Sequence, residues 1–272
     1  MERIMDRIAK TFRLGSVGML PLFVPTLLTY FTSPVEQTKV INTIEVSNVA
    51  VIEAVQQAYF QENLQGLYQE MKLEQKGLSY PVFYKALIGQ INLKDRQEIS
   101  EKPIITIVDF EKPSTQKRLW ILDLATREVK FHTYVAHGRG SGDNIAQVFS
   151  NITDSHMSSL GFYVTADTYY GQHGLSLKLE GKEEGLNSKA LERNIVVHGA
   201  EYVSEDFIRQ QGRLGRSHGC PALPVEDTAA IIDVIKDRTV LYLNGPTQEG
   251  YSSELINPAV AKNYFLQESF TL

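Results

Sequence analysis

The chain has 272 residues, of which 43% are hydrophobic and 10% aromatic, enough apolar material for one large domain or two smaller ones. Residues 1–35 carry four basic and two acidic side chains, so the remainder holds 23 basic and 30 acidic residues and a net charge near −7. This balance argues against nucleic acid or an anionic surface as the main partner.

The first predicted element is an export signal at residues 1–35. Four basic residues within the first 13 precede the stretch Leu14–Val35, which has no charged side chain and is mostly apolar. A positive segment followed by an apolar one is typical of export signals, and the polar stripe of an amphipathic helix is missing. We therefore expect an exported protein of the periplasm or cell envelope, whose signal is either cleaved or kept as a membrane anchor.

Residues 36–102 are predicted to form a helical N-terminal region. Apolar residues recur at spacings of three and four between Ile52 and Met71, and a second repeat follows Ser79 and Pro81, which are typical residues of a helix start. We expect this region to serve as a packing region or spacer rather than as a binding module.

The pattern changes to short β-type segments over residues 103–245. These segments are rich in β-branched and aromatic residues and are separated by turn-forming stretches. They read IITIVDF, RLWILDL, VKFHTYVA, GFYVT (161–165), NIVVH (194–198) and RTVLYL (238–243). One helix is predicted at Val225–Ile235, after Pro224 and with two acidic residues in its first turn. The pattern indicates a mainly β domain with few helices, followed by a C-terminal tail over residues 246–272.

Cys220 is the only cysteine in the sequence and lies in the stretch RSHGCPAL. Structural cysteines of exported proteins come in pairs, so a single thiol is either well buried or chemically employed. The N-terminus of the helix at Val225 favours a thiolate nearby, and we expect the pKa of Cys220 to be below that of an ordinary thiol. His218 lies two residues earlier and would point the same way in an extended segment, and Gly219 leaves room for a tight loop or a substrate.

His198 ends a predicted strand, and Gly199 then turns the chain. An imidazole in this place lies at the rim of a sheet, where a base can meet a substrate, and a nucleophilic cysteine needs only one such base. A zinc site is disfavoured, because catalytic zinc takes three protein ligands and structural zinc usually takes more than one cysteine. A buried cysteine with loop histidines remains an alternative on these residues alone.

His198-Gly199 and Ser217-His218-Gly219-Cys220, with the eighteen residues 199–216 between His198 and Ser217, resemble the signature of YkuD-type L,D-transpeptidases. These enzymes cross-link bacterial peptidoglycan. The resemblance covers roughly residues 103–243, and VVHGAEYVSEDFIRQQGRLGRSHGC is similar to the murein L,D-transpeptidase branch with an N-terminal helical extension. It implies an L,D-transpeptidase-like β-sandwich with few helices, preceded by a small helical region. It also implies catalysis without metal or cofactor.

The resemblance also implies a mechanism. The thiolate attacks the carbonyl of an L-residue, typically meso-diaminopimelate, in a peptidoglycan tetrapeptide stem and expels the terminal D-alanine. An amine of a neighbouring stem then forms the L,D cross-link. The catalytic set comprises the nucleophile, the base, the carbonyl that orients the base, and the loop that supplies the oxyanion hole: Cys220, His198, Gly199, Ser217, His218 and Gly219. An L,D-carboxypeptidase or other muropeptide hydrolase, and a non-catalytic wall-binding protein with the same fold, are the alternatives.

The chain departs from the family pattern directly after the cysteine. The family usually has an apolar residue followed by Arg or Asn, which helps to hold the donor stem, whereas this chain has Pro221-Ala222. We therefore expect Arg216 and Arg213 to bind the donor, with a solvated loop surface as the alternative for both.

Further residues are expected to line the cleft, with plain turn residues or buried aromatics as the alternative. They are His156, Ser158, Ser159, Tyr169 and Tyr170. His132 and His173 are predicted to be structural. The stretch HGRGSGDN (137–144) is predicted to be a glycine-rich connection rather than a phosphate loop, because it lacks the Lys-Ser/Thr end of such loops.

Overall fold

The computed structural model describes residues 34–246 and 253–270. The predicted export signal lies outside these ranges except for its last two residues. Within the described ranges, none of the helices combines the length and the apolar character needed to cross a membrane.

The described residues form five α-helices, two before the strands and three in the second half of the chain. They are α1 (Pro34–Glu70), α2 (Tyr80–Asp95), α3 (Glu205–Gln211), α4 (Val225–Ile235) and α5 (Pro258–Phe270). The bounds of α4 are the predicted ones, and Pro224 lies at its N-cap. Helices α1 and α2 confirm the helical N-terminal region.

The same residues form eight strands that hydrogen-bond into one continuous sheet. The strands are β1 (Ile104–Asp109), β2 (Leu119–Asp123), β3 (Glu128–Thr133), β4 (Gly161–Gly171), β5 (Gly174–Gly181), β6 (Val196–Gly199), β7 (Ala222–Leu223) and β8 (Val240–Asn244). Their order across the sheet is β3-β2-β1-β8-β4-β5-β6-β7. The pairs β1–β8 and β6–β7 are parallel and the others antiparallel. The predicted mainly β fold after a helical region is confirmed.

The central strands are buried on both faces, because helices cover each side of the sheet. Along β1, Ile105 and Ile107 belong to a core shared with α1 and α2. Ile104 and Val108 belong to a second core, which includes Ile231 of α4. Alternate residues of a strand point to opposite faces, so this two-sided burial accounts for the predominance of apolar residues at adjacent positions in IITIVDF.

The C-terminal tail returns to the helical N-terminal region and completes its core. The ring of Phe265 in α5 lies 5.4 Å from that of Phe60 in α1. The buried Asn92 of α2 donates from Nδ2 to the carbonyls of Leu255 and Asn257, at 2.7 and 3.0 Å. The tail, for which the sequence pattern indicates no element, is thereby tied to a residue more than 160 positions earlier.

Helix α2 docks on the sheet through a glycine. A methyl group added at Gly89 would overlap the ring of Phe162, which is fully buried and stacked on Tyr242 at 4.4 Å. The helix therefore approaches β4 more closely than any side chain at position 89 permits.

We predict that Gly89→Ala lowers the free energy of unfolding by about 1–3 kcal/mol, because the added methyl overpacks a filled core. Gly66→Ala in α1 is the matched control: nothing lies within 4 Å of a methyl there, and it should raise that free energy by about 0.5–1 kcal/mol through helix propensity. Urea denaturation measures both. A Gly89→Ala protein as stable as the parent would contradict the close docking.

Candidate active site

The thiol of Cys220 packs against the beginning of strand β6. Cys220 is half-buried, and its Sγ accepts a hydrogen bond from the Val196 amide at 3.5 Å. The thiol donates to the Asn194 carbonyl at 3.6 Å. These hydrogen-bond partners are not the expected ones. From the sequence we expect the backbone amides at the N-terminus of α4 to lie next to the sulfur. Strand β7 lies between the cysteine and that helix, so the backbone that contacts the sulfur is that of residues 194–196.

A tight turn over residues 217–220 carries the cysteine. The Ser217 hydroxyl accepts from the Gly219 amide at 3.0 Å and donates to the Cys220 carbonyl at 2.6 Å, which closes the turn on itself. Gly219 has φ +128°, and a methyl group there would lie 2.8 Å from the Met157 carbonyl. The position therefore requires glycine both for its backbone and for its space.

The turn directs His218 to a different place from the one expected. His218 is exposed, and its ring packs on that of His156 at 4.4 Å between centroids. The expectation that His218 points with the sulfur assumes an extended chain, and the left-handed backbone at Gly219 breaks that geometry. His156 itself has φ +53°, an uncommon value for a non-glycine residue.

His198 lies on β6 beside the turn and is only 4% exposed. Its Nδ1 donates to the carbonyl of Gly199 at 2.9 Å, which leaves Nε2 as the nitrogen with a free lone pair. His198 pairs in register with Ala222 of β7, two residues after the cysteine. The imidazole and the thiol are thus attached to neighbouring strands, although no hydrogen bond joins them in the described structure.

Burial keeps both groups of this pair neutral. It raises the pKa of the Cys220 thiol, an effect that the Val196 amide and the Arg193 charge partly offset. Burial also lowers the pKa of His198, against the opposing effect of the Gly199 carbonyl. The sequence-based expectation of a lowered thiol pKa is therefore wrong in direction, and the resting pair is thiol and imidazole rather than thiolate and imidazolium.

Two backbone amides of the turn are available to a substrate. The amide of Gly219 is occupied by the Ser217 hydroxyl. The amides of His218 and Cys220 donate to no carbonyl or side-chain acceptor of another residue among those described. Backbone amides that are fixed by a turn and donate to no other residue are suited to hold an oxyanion.

The glycine-rich connection at 137–144 packs directly beneath the turn. Ser158 is buried, and its hydroxyl accepts from the Gly138 amide and donates to the Gly219 carbonyl, both at 3.0 Å. His137 accepts at its carbonyl from the Ser217 amide at 3.0 Å, and its Nδ1 lies 2.8 Å from the guanidinium of the fully buried Arg118. A buried network of hydrogen bonds therefore supports the turn over residues 217–220.

The predicted donor-binding arginines are engaged elsewhere. Asp143 Oδ1 lies 2.7 Å from Arg213 Nε and 3.1 Å from Arg216 Nη1. Arg216 also donates to the Gly142 carbonyl at 3.0 Å. Both side chains therefore fasten the glycine-rich connection to the loop before the turn, so neither presents an unengaged guanidinium to a donor.

Two further cleft predictions do not agree with the structure. Ser159 is 2% exposed, and its hydroxyl lies 2.6 Å from that of Tyr163. Its side chain is therefore buried and does not line a cleft. Tyr170 is 83% exposed but pairs with Leu175, one position out of phase with the row Tyr169–Ser176–His198. Side chains one residue apart on a strand face opposite sides, so Tyr169 shares the face of His198 and Tyr170 does not.

The substitution after the cysteine has a packing cause. Ala222 is fully buried between β6 and Ala136, whose amide donates to the Ala222 carbonyl at 2.9 Å. It belongs to a small cluster with Ala200, Val203 and Leu214. A long basic side chain has no room here, so position 222 cannot carry the basic residue of the family pattern.

Three residues near the site were not predicted from the sequence. The ring of His173, from the β4–β5 turn, stacks on His198 at 4.5 Å, which places it beside the candidate base. Arg139 is exposed beside the turn, and its amide donates to the Ser217 carbonyl at 2.8 Å. Arg193 adjoins the turn from the loop before β6. One sequence feature could have indicated Arg193: it is a basic residue only three positions before β6, the strand that carries His198.

Among residues 34–246 and 253–270, no group of three or more His, Cys, Asp or Glu side chains is arranged to hold a metal ion. The site described above is built from one thiol, one imidazole and backbone amides.

Comparisons with known proteins match the part of the chain that contains this site. Residues 74–244, more than half of the chain, match the family model YkuD_2, the L,D-transpeptidase catalytic domain. An L,D-transpeptidase from Mycobacterium smegmatis is similar, with 12% sequence identity, 53% of this chain and 59% of that chain covered, and a TM-score of 0.33. The helical cell shape determining protein Pgp2 from Campylobacter jejuni is similar at 13% identity, with coverage of 65% and 64% and a TM-score of 0.36. The chain thus spans less than two thirds of each, and curated protein sequences gave no match.

The rate at which iodoacetamide alkylates Cys220 can be measured from pH 5 to 11. We predict that the midpoint of this pH profile lies above the ordinary thiol pKa of about 8.5, because burial raises the pKa of the Cys220 thiol. His198→Gln should move this midpoint little, since a neutral imidazole contributes no charge. His132→Gln is the matched control: this ring stacks on Trp120, away from the thiol. A midpoint below 7 that is lost in His198→Gln would show an ion pair instead.

Proposed function

The chain belongs to the family of L,D-transpeptidase catalytic domains, and from this premise we propose that it is a peptidoglycan L,D-transpeptidase. Its donor is a tetrapeptide stem, and its acceptor is an amine of a neighbouring stem. One observation carries the proposal: the only thiol of the chain lies on a turn next to a strand whose histidine is neutral, oriented through Nδ1 and free at Nε2.

In the first half-reaction, Nε2 of His198 takes the proton of the Cys220 thiol as the sulfur attacks the carbonyl carbon of the L-residue. A C–S bond forms and the carbonyl oxygen becomes an oxyanion. When this intermediate collapses, the C–N bond to the terminal D-alanine breaks, and the imidazolium gives its proton to the departing amine. The products are free D-alanine and a thioester on Cys220.

In the second half-reaction, the amine of a neighbouring stem attacks the thioester carbonyl. His198 accepts the proton that the amine loses, the C–S bond breaks, and the sulfur recovers a proton from the imidazolium. The new amide is the L,D cross-link. The free enzyme is regenerated with both groups neutral, in keeping with the raised pKa of the thiol and the lowered pKa of the imidazole.

The oxyanion of both half-reactions is stabilised by the amides of His218 and Cys220. Neither amide donates to another residue in the described structure, which supports this role. Loss of one such donor in an acyl-transfer enzyme typically costs a factor of about 10² to 10³ in kcat. Ser217 and Gly219 hold these amides in place through the closed turn.

The donor stem carries carboxylates, and the cation that supports their recognition is Arg139. Its side chain is exposed beside the turn, its charge acts on His218, and it forms no ion pair with any described residue. Arg213 and Arg216, by contrast, are already engaged by Asp143. Arg139 thus takes the role that the family pattern assigns to the position occupied here by Ala222.

Peptidoglycan lies outside the cytoplasmic membrane, so the proposed activity requires export. The uncharged, largely apolar stretch from Leu14 to Val35, with basic residues before it, supports this location. The protein is expected in the periplasm or cell envelope.

We expect purified tetrapeptide muropeptides to yield cross-linked dimers and free D-alanine when incubated with the protein, as read by mass spectrometry. Cys220→Ala should unfold as cooperatively as the parent yet turn over at less than about one thousandth of its rate, because the nucleophile is absent. Tripeptides without dimers would indicate the hydrolase, with water as the acceptor. Unchanged substrate would indicate a wall-binding protein and overturn the proposal.

We predict that Arg139→Gln raises the KM for the tetrapeptide donor about five- to tenfold, because a carboxylate partner worth about 1 kcal/mol is lost. The kcat should stay within about twofold, since the thiol and the imidazole are untouched. Arg209→Gln is the control, because Arg209 is exposed on α3 and pairs with Asp206. Equal KM values in the Arg139 variant and the parent would remove Arg139 from donor recognition.

A further inference from the structure

Arg193 is a half-buried arginine that the mechanism above does not use. It lies in the loop before β6, and its guanidinium donates to four acceptors of the facing loop. These are the Met157 carbonyl at 2.5 Å, the Ser150 carbonyl at 2.7 Å, the Ser159 hydroxyl at 3.2 Å and the Ser155 hydroxyl at 3.4 Å. With its donors committed in this way, the planar group is fixed in position.

The fixed guanidinium of Arg193 lies next to the turn over residues 217–220, which carries Cys220. A methyl group placed on Gly219 would lie 3.3 Å from Arg193 Nη2 and 2.8 Å from the Met157 carbonyl that Nη2 binds. The next residue along the chain, Asn194, supplies the carbonyl to which the Cys220 thiol donates. The charge of Arg193 is therefore held on the side of the turn where the sulfur lies.

This charge has no carboxylate partner among the described residues. No Asp or Glu oxygen lies within 4 Å of its guanidinium, and all four acceptors are neutral. Leaving a partly buried cation unpaired is costly, and arginine does not escape the cost by losing its proton. An anion nearby would relieve that cost.

The other titratable groups around the thiol supply no charge. Burial raises the pKa of Tyr163, which lies on β4, and raises that of Tyr202, in the loop after β6, to about 12. Burial lowers the pKa of His198. Near neutral pH the two hydroxyls and the imidazole are uncharged, so the guanidinium is the charged member of this set.

We propose that Arg193 is a positioning residue for the nucleophile, whose charge stabilises the Cys220 thiolate at the moment His198 removes the thiol proton. The inference rests on the proposed function for its place in catalysis, but the electrostatic pairing stands by itself. As the sulfur attacks, the negative charge moves from Sγ to the carbonyl oxygen while the guanidinium stays in place. Arg193 therefore lowers the cost of forming a thiolate in a buried site.

The test compares two substitutions with the parent in the iodoacetamide assay, which needs no peptidoglycan. Arg193→Gln keeps an amide donor but removes the charge, and Arg193→Lys keeps the charge but removes the planar fork. We expect the Gln variant to raise the alkylation midpoint by about one pH unit, with a roughly tenfold lower rate at pH 8, because one nearby charge is lost. The Lys variant should stay within about 0.3 of a unit of the parent, for the same electrostatic reason.

Ser155→Ala is the matched control, because it deletes one hydrogen bond of the guanidinium and leaves the charge in place. It should leave the midpoint unchanged. A midpoint in the Gln variant equal to that of the parent would overturn the proposal, and so would equal shifts in the Gln and Lys variants, since loop geometry rather than charge would then be at work.

The two proposals fail separately. If the parent protein forms no cross-linked muropeptide but Arg193→Gln still shifts the alkylation midpoint, the transpeptidase assignment is lost and the pairing of Arg193 with the thiolate stands. If cross-links form and the midpoint does not move, the activity stands and the role of Arg193 is refuted.

Discussion

The site depends on the parallel pairing of β7 with β6. Strand β7 has two residues, and it fixes the turn over 217–220 relative to His198 through the pairs His198–Ala222 and Gly199–Leu223. Small side chains allow this pairing, because Ala222 lies fully buried between β6 and Ala136. A larger residue at position 222 would push the two strands apart and separate the thiol from the imidazole of His198. The alanine that looks like a lost binding residue in the sequence is therefore a condition for the geometry.

Burial and activation act against each other in this site. Burial limits the access of water to the imidazole and, in part, to the thiol, but it also raises the pKa of the sulfur. The Val196 amide, which contacts the sulfur, and the charge of Arg193 beside the turn partly offset this rise. A neutral thiol is also less susceptible to adventitious alkylation and oxidation than a thiolate.

Local features of the sequence were predictable, and features set by long-range contacts were not. The bounds of α4 follow from Pro224 and the acidic first turn, and the positions of Cys220 and His198 follow from two short motifs. The stacking of His173 on His198 depends on the β4–β5 turn, which no pattern near His198 indicates. Tyr169 and Tyr170 could be told apart only through the strand register, because a one-residue shift exchanges the two faces. The partly buried hydrogen bond between Arg193 and Ser159 joins two residues that are 34 positions apart in the sequence.

The docking of α5 has a consequence for the order in which the chain acquires its structure. Phe60 and Asn92 obtain their partners from residues 255–265, so the core of the helical N-terminal region is incomplete until nearly the whole chain has been synthesised. The pairing of β1 with β8 imposes the same delay on the sheet. A topology dominated by contacts so distant in sequence folds slowly, since the closure of long loops precedes the gain from burial. Slow folding of this kind is compatible with the export proposed for this chain, because a translocation channel passes chains that are still unfolded.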